Sequence, residues 1–210
     1  MIYIELQIES QISIDSFINL KTIYDEIAGD IMKKEGIILS NDFKFNNHIG
    51  DITKEIRWTW AVNKESFGLF EKFVIYKNIN SFFRNEFRIL GAGFITLYEK
   101  DVCDSEFHLD INTHYDTGNT TNILTLIFPL YIDEDMGGLE YKESGEVKVY
   151  KYKKDRILVW DACKLEHRTQ PYRLNIKKKR VLVSMNLASN EEWAIKSVEN
   201  TLKSQGNILF

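Results

Sequence analysis

The stretch Asn122–Trp160, "NILTLIFPLYIDEDMGGLEYKESGEVKVYKYKKDRILVW", decides the fold class. It contains four β-like runs. "NILTLIFPLYI" is apolar almost throughout, "GLEYKE" and "EVKVYKY" alternate, and "RILVWDA" (Arg156–Ala162) is apolar again. Gly, Asp and Ser punctuate the gaps, and no gap holds a helical pattern. Strands joined by turns rather than by helices predict antiparallel sheets, not βαβ units.

Three more runs of the same kind flank it: "ILGAGFITLYEK" (Ile89–Lys100), "EFHLDINTHYD" (Glu106–Asp116) and "RVLVSMNLA" (Arg180–Ala188). Further out the period changes. Apolar residues at Phe17, Leu20, Ile23, Tyr24, Ile27 and Ile31 predict an amphipathic helix over 15–35, with Asp15 or Ser16 as cap and Gly36 as stop. "IRWTWAVN" (Ile56–Asn63) reads as a strand, Lys64–Phe87 as a Phe-rich helical stretch, and Asn190–Gly206 as a capped surface helix. The expectation is a mostly β protein with flanking helices around a double-stranded β-helix (jelly-roll, cupin-like) core. It divides into a helical N-terminal support and lid (1–88), the core (89–188) and a C-terminal helix (189–210), all in one domain.

Composition narrows the partners. A net charge of −4 disfavours a broad nucleic-acid surface. "KVYKYKKDR" reads as a strand with one solvated charged face, and "KKKR" (Lys177–Arg180) mostly as a turn. Two cysteines, Cys103 and Cys163, are too few for a disulfide framework and fit a reducing, cytoplasmic setting. The N-terminus "MIYIELQIES" lacks a basic n-region, and no apolar run approaches a membrane span.

The chemistry sits among four histidines, two of which open the same tripeptide six residues apart: His108-Leu109-Asp110 and His114-Tyr115-Asp116. On a strand, residues i and i+2 project to one face, so His-x-Asp offers two metal ligands together. Two imidazoles and one carboxylate on one face leave positions open for substrate and oxygen. His167, in "KLEHRTQPY", can supply the third ligand. Arg180 opens an apolar strand, and its planar fork suits a carboxylate.

These motifs resemble the Fe(II)/2-oxoglutarate-dependent dioxygenase superfamily, and within it the prolyl-hydroxylase-like members. "HYDTGNTTNILTLIFPLYIDEDMGGLEY" is similar to their His-x-Asp, short loop, Thr-bearing apolar strand and Gly-Gly turn. "RILVWDACKLEHRTQPY" is similar to their strand, loop and distal His. The likeness spans Ile95 to Leu187.

The resemblance implies Fe(II) on His114, Asp116 and His167, with 2-oxoglutarate and O2 as cosubstrates. Arg180 would hold the distal carboxylate of 2-oxoglutarate. Ser184, four residues on along the same face, would assist, although many relatives carry that hydroxyl two positions after the Arg, where this chain has Leu182. Tyr98 resembles a tyrosine that lines the cosubstrate pocket.

Between the tripeptides, the ten-residue spacing from Tyr98 to His108 favours the first. The end of the Phe107/Leu109/Ile111 alternation near His114, and the short "TGN" turn after Asp116, favour the second. The second is therefore expected to bind, with His108, Asp110 and Asn112 contacting substrate or supporting the ligands. A carboxylate at that position implies hydroxylation or desaturation rather than halogenation. The expected substrate is an amino acid, a small metabolite or a peptide side chain, without nucleic acid or membrane. A non-catalytic jelly-roll binding module and a zinc hydrolase with Glu106 as base are the alternatives. Trp58 and Trp60, two apart on one strand face, are read as core packing before pocket wall, and Trp160 as packed in the sheet.

Overall fold

A computed structural model describes residues 3–7, 14–31, 43–47, 57–71, 76–97, 102–103, 106–115, 118–133, 136–173 and 178–204. Its elements, in chain order, are β1 (Tyr3–Gln7), α1 (Ile14–Ile31), β2 (Phe43–Asn47), β3 (Arg57–Ala61), α2 (Lys64–Glu71), α3 (Tyr76–Phe83), β4 (Phe87–Leu97), β5 (Val102–Cys103), β6 (Ile123–Tyr131), β7 (Leu139–Glu143), β8 (Glu146–Tyr150), β9 (Arg156–Asp161), β10 (His167–Thr169), β11 (Tyr172–Arg173), β12 (Arg180–Ser189) and α4 (Glu192–Ser204). The major sheet runs β1-β9-β6-β12-β4-β3-β2, and every pairing in it is antiparallel. A smaller sheet, β10-β7-β8, faces it, and β11 pairs with β5. This is the expected jelly roll of two sheets with flanking helices.

The near-continuous apolar runs have a physical cause. A sheet covered on both faces buries odd and even positions alike. Val181, Val183, Met185 and Leu187 of β12 face outward with Leu124, Leu126 and Phe128 of β6. They meet Leu20 and Tyr24 of α1, Phe70 of α2 and Ile79 of α3 in one core. The opposite parity of the same strands, with Ile127, Leu158, Trp160 and Leu182, packs against Leu139, Tyr141 and Tyr150 of the smaller sheet. Helix α4 closes one end, with Ala194, Val198 and Leu202 on Trp60, Ile111 and Ile123. Its Leu202 methyls reach within 2.7 Å of where a Gly91 Cβ would lie, so a side chain at residue 91 would make Leu202 shift.

Two expectations change. Lys64–Phe87 is two helices, α2 and α3, rather than one stretch. Glu106–Asp116 is not a strand: its described part makes one isolated bridge, His108 to His167, and then bends. The first 88 residues also contribute β1, β2 and β3 to the major sheet, and of these only β3 was expected from the sequence. No helix among the described residues is long and apolar enough to cross a membrane.

Candidate active site

His108, Asp110 and His167 come together between the two sheets, with a ligand atom from each within 4.8 Å of the others. His108 and His167 are direct cross-strand partners. Each donates its backbone N–H to the other's carbonyl at 2.9 Å. The rings lie 4.7 Å apart at their centroids.

Each ring is turned by a local carbonyl. His108 Nδ1 lies 2.8 Å from Glu106 O, and His167 Nδ1 lies 2.9 Å from Leu165 O. A carbonyl only accepts, so each Nδ1 carries a proton and each Nε2 is the ring nitrogen that faces the site. His167 Nε2 is 3.4 Å from Asp110 Oδ1.

The carboxylate is fixed in the same way. Thr125 Oγ1 donates to Asp110 Oδ2 at 2.6 Å, and Trp160 Nε1 donates to the same oxygen at 2.9 Å. One carboxylate oxygen is thus held by the sheet and the other faces the imidazoles. Burial pushes the Asp110 carboxyl up. The charges of His167 and His108 and the hydrogen bonds from His167 and Thr125 outweigh it and hold the carboxyl at about 2. Burial works against a protonated His167, yet Asp110 and the Leu165 carbonyl raise that group above its ordinary value.

The donor set fits a divalent metal. Two imidazole nitrogens and one ionised carboxylate on one side suit a borderline ion, and they leave the other side open. Each ligand has the outer hydrogen bond that orients it. His167 is 4% exposed while His108 is exposed, so the open side lies toward His108.

The segment carrying His108 has one bridge to hold it, and side chains do the rest. Phe107 is flanked by Lys142 Nζ at 4.7 Å and by the Arg168 guanidinium at 4.6 Å from its ring. Ile111, 1% exposed, anchors the far end and donates its N–H to Ala162 O at 3.1 Å.

Arg180 lies at the other end of the same cavity. It is 1% exposed, and among the described residues no carboxylate pairs with it. Its Nη1 donates to Gly137 O at 2.8 Å, and the guanidinium carbon lies 5.8 Å from the centre of the Tyr152 ring. One of five N–H donors is therefore satisfied by that carbonyl. Gly137 and Gly138 allow this approach. A Cβ on Gly138 would lie 2.1 Å from Tyr150 O, and one on Gly137 would lie 2.8 Å from Tyr172 Cβ. Ser184, 2% exposed, lines the cavity between Arg180 and the metal-ligand cluster.

The residues expected from sequence divide as follows. His167, Arg180 and Ser184 share the cavity. His114 does not join the cluster: it sits in an exposed bend beside Tyr115, whose ring stacks on Trp193 at 5.3 Å. Asp116 and Tyr98 lie outside the described residues. His108 and Asp110, expected beside the site, form the cluster with His167. Thr125, Trp160 and Tyr152 were not foreseen. Thr125 had a signal, a lone hydroxyl on the inner parity of an apolar strand. Trp160 and Tyr152 had none beyond being aromatic. Trp58 and Trp60 stack at 5.0 Å and both line the cavity.

No family model matches the sequence, and no curated protein matches it. Solved structures do match in shape. The chain aligns with a Pseudomonas putida prolyl-4-hydroxylase at TM-score 0.55 and 10% identity, over 90% of this chain and 93% of that one. It aligns with HygX from Streptomyces hygroscopicus, solved with nickel, 2-oxoglutarate and hygromycin B bound, at TM-score 0.57 and 9% identity, over 90% and 83%. EvdMO1 aligns at TM-score 0.64 and 12% identity, and this chain spans 48% of its length. The fold is one that 2-oxoglutarate/Fe(II) oxygenases use. At these identities the likeness establishes the fold, and the chemistry has to come from the side chains.

Proposed function

We propose that the chain is an Fe(II)- and 2-oxoglutarate-dependent oxygenase that hydroxylates an unactivated C–H bond of a small molecule or peptide side chain. His108, Asp110 and His167 would hold the metal, which moves two ligands from the second tripeptide to the first. Arg180, with Ser184, would hold the distal carboxylate of 2-oxoglutarate.

The observation that carries this reading is the buried Arg180 guanidinium in the same cavity as the His-Asp-His cluster, with no acid beside it among the described residues. A buried cation without a counter-charge costs several kcal/mol by general estimates. A dicarboxylate spanning from Arg180 to the metal removes that cost, because the planar fork binds a carboxylate through two parallel hydrogen bonds. When bound, the iron and 2-oxoglutarate supply oxidative decarboxylation to succinate together with insertion of one oxygen atom from O2.

The chain's own residues do the remaining work. Glu106 O and Leu165 O fix the imidazoles, Thr125 and Trp160 fix the carboxylate, and the apolar walls exclude water. The described elements would act as one oxygenase domain, and the two-cysteine content supports a cytoplasmic setting.

Anaerobic Fe(II) titration with 2-oxoglutarate, read by visible absorption, tests the proposal. A charge-transfer band that needs both components is expected. Its absence in the unmodified protein would overturn the reading.

A further inference from the structure

The inner parity of β6 and β12 bears four polar residues that line the cavity: Thr125, Arg180, Ser184 and Asn186. Thr125 holds Asp110, and the function proposed above assigns Arg180 and Ser184 to the cosubstrate. Asn186 is left over. It pairs directly with Thr125 across the β6–β12 ladder, which puts it one strand from the metal-ligand carboxylate. No described residue hydrogen-bonds its side-chain amide.

A second orphan lies close by. Trp60 is 1% exposed, lines the cavity, and its indole Nε1 has no hydrogen-bond partner among the described residues. A buried donor of this kind usually has an acceptor. Trp60 stacks on Trp58, so the wall beside Asn186 is aromatic.

The charge content of the cavity is equally specific. Among the described residues that line it, the groups charged or readily charged near neutrality are His108, Asp110, His167 and Arg180. With the first three on the metal and the fourth on the cosubstrate, none of these described groups remains for a substrate.

Resting on the oxygenase reading, we propose that the group oxidised is neutral and hydroxyl-bearing, a saturated polyol ring. It would pack its C–H face on Trp58, the more exposed of the stacked pair, with Asn186 as the residue that positions it. An amide both donates and accepts, which matches a hydroxyl. A ring face of C–H bonds suits an indole surface. A free amino acid would bring an ammonium and a carboxylate into a space where the described lining residues leave no charged partner for either. In the reaction one substrate C–H becomes C–O–H with an oxygen atom from O2. The second oxygen atom enters succinate on the former keto carbon, and the carboxylate next to that keto group leaves as CO2.

The test uses the full chain with Fe(II) and 2-oxoglutarate, and two probe sets: methyl glycosides with inositols, and free proline, arginine and glutamate. Succinate formation above the substrate-free rate is measured for each probe, alongside the anaerobic charge-transfer band. At least one neutral probe is expected to stimulate succinate formation, and the amino acids are not. Asn186→Ala should lower kcat/KM for the stimulating probe about tenfold or more, the size expected when a hydrogen bond to substrate is lost. The 2-oxoglutarate-dependent band should stay within about twofold in midpoint, since Asn186 touches neither Arg180 nor the ligands. Stimulation by an amino acid, or by no neutral probe, would overturn the substrate class while the band still upheld the oxygenase. An undiminished Asn186→Ala would overturn the role of Asn186. Loss of the band in the unmodified protein would instead overturn the oxygenase reading and this inference with it.

Discussion

His108 and His114 begin the same tripeptide, and their surroundings differ at every level. His108 exchanges two backbone hydrogen bonds with His167, and its Nδ1 is committed to the Glu106 carbonyl. Asp110, two residues on, receives hydrogen bonds from Thr125 and Trp160. His114 stands in an exposed bend, away from the cluster. The difference teaches that His-x-Asp alone does not make a metal site. What makes one is a fixed backbone, one ring nitrogen committed to a carbonyl so that the other faces inward, and one carboxylate oxygen already satisfied. Each of these can be removed separately.

The largest effect should come from the ligands. His108→Ala and Asp110→Ala are each expected to weaken Fe(II) binding by more than ~100-fold, beyond the range seen for groups that only support a ligand. Anaerobic dialysis followed by metal analysis reads this directly. If either variant kept its iron, the first tripeptide would not be the site. Next comes Arg180→Leu. Removing the counter-charge for a buried carboxylate should weaken 2-oxoglutarate binding by about 10²–10⁴-fold, following the ~3–5 kcal/mol cost of breaking a buried pair. The thermal stabilisation that 2-oxoglutarate gives the unmodified protein should vanish with it.

How far the site was legible follows from the same contrast. His167, Arg180 and Ser184 were legible because each is a polar residue set beside or within an apolar run. Strands β4, β6, β7, β8, β9 and β12 were legible because their alternation or their continuous apolar character reports one covered face or two. The choice between the tripeptides was not legible. Phe107, Leu109 and Ile111 alternate, and that pattern reads as a strand running on to His114. In the fold, Phe107 sits between Lys142 and Arg168, Ile111 is buried near α4, and the chain bends at Asp110. The apolar spacing came from two different environments rather than one sheet face. The ten-residue spacing from Tyr98 to His108 pointed the other way. Strand β1 was overlooked although its sequence alternates, with Ile4 and Leu6 apolar against Glu5 and Gln7; it pairs with β9 at the edge of the major sheet.

Smaller effects sharpen the account of what orients the ligands. Thr125→Val and Trp160→Phe each remove one donor to Asp110 Oδ2, the first with almost no change in volume and the second with a small cavity. Each should weaken metal binding about 10–100-fold while the fold persists. Competition with a chelator reads both losses. Gly138→Ala acts on the other end of the cavity through sterics alone. A Cβ 2.1 Å from Tyr150 O forces the β7–β8 hairpin apart, for about 1–3 kcal/mol of lost stability. A lowered Tm and a weaker 2-oxoglutarate midpoint are expected together, because Gly137 O is the acceptor that holds Arg180.

His114→Ala should have the smallest effect, and it tests the comparison from the other side. The residue is exposed and adjoins the cluster only in sequence, so iron retention should stay within about twofold and Tm should move by little, as for ordinary surface substitutions. The same holds for the charge-transfer band with 2-oxoglutarate. A large loss of iron on His114→Ala, with His108→Ala silent, would return the metal to the second tripeptide. It would also require the 106–115 segment to rebuild its pairing with β10, because the backbone hydrogen bonds that place His108 against His167 leave no room for His114 at the same position. Hydrogen exchange at the His108 and His167 amides separates these cases without any metal. Both N–H groups are committed to each other's carbonyls and should be protected, whereas the Tyr115 N–H, bonded to Thr113 Oγ1 in the exposed bend, should exchange fast.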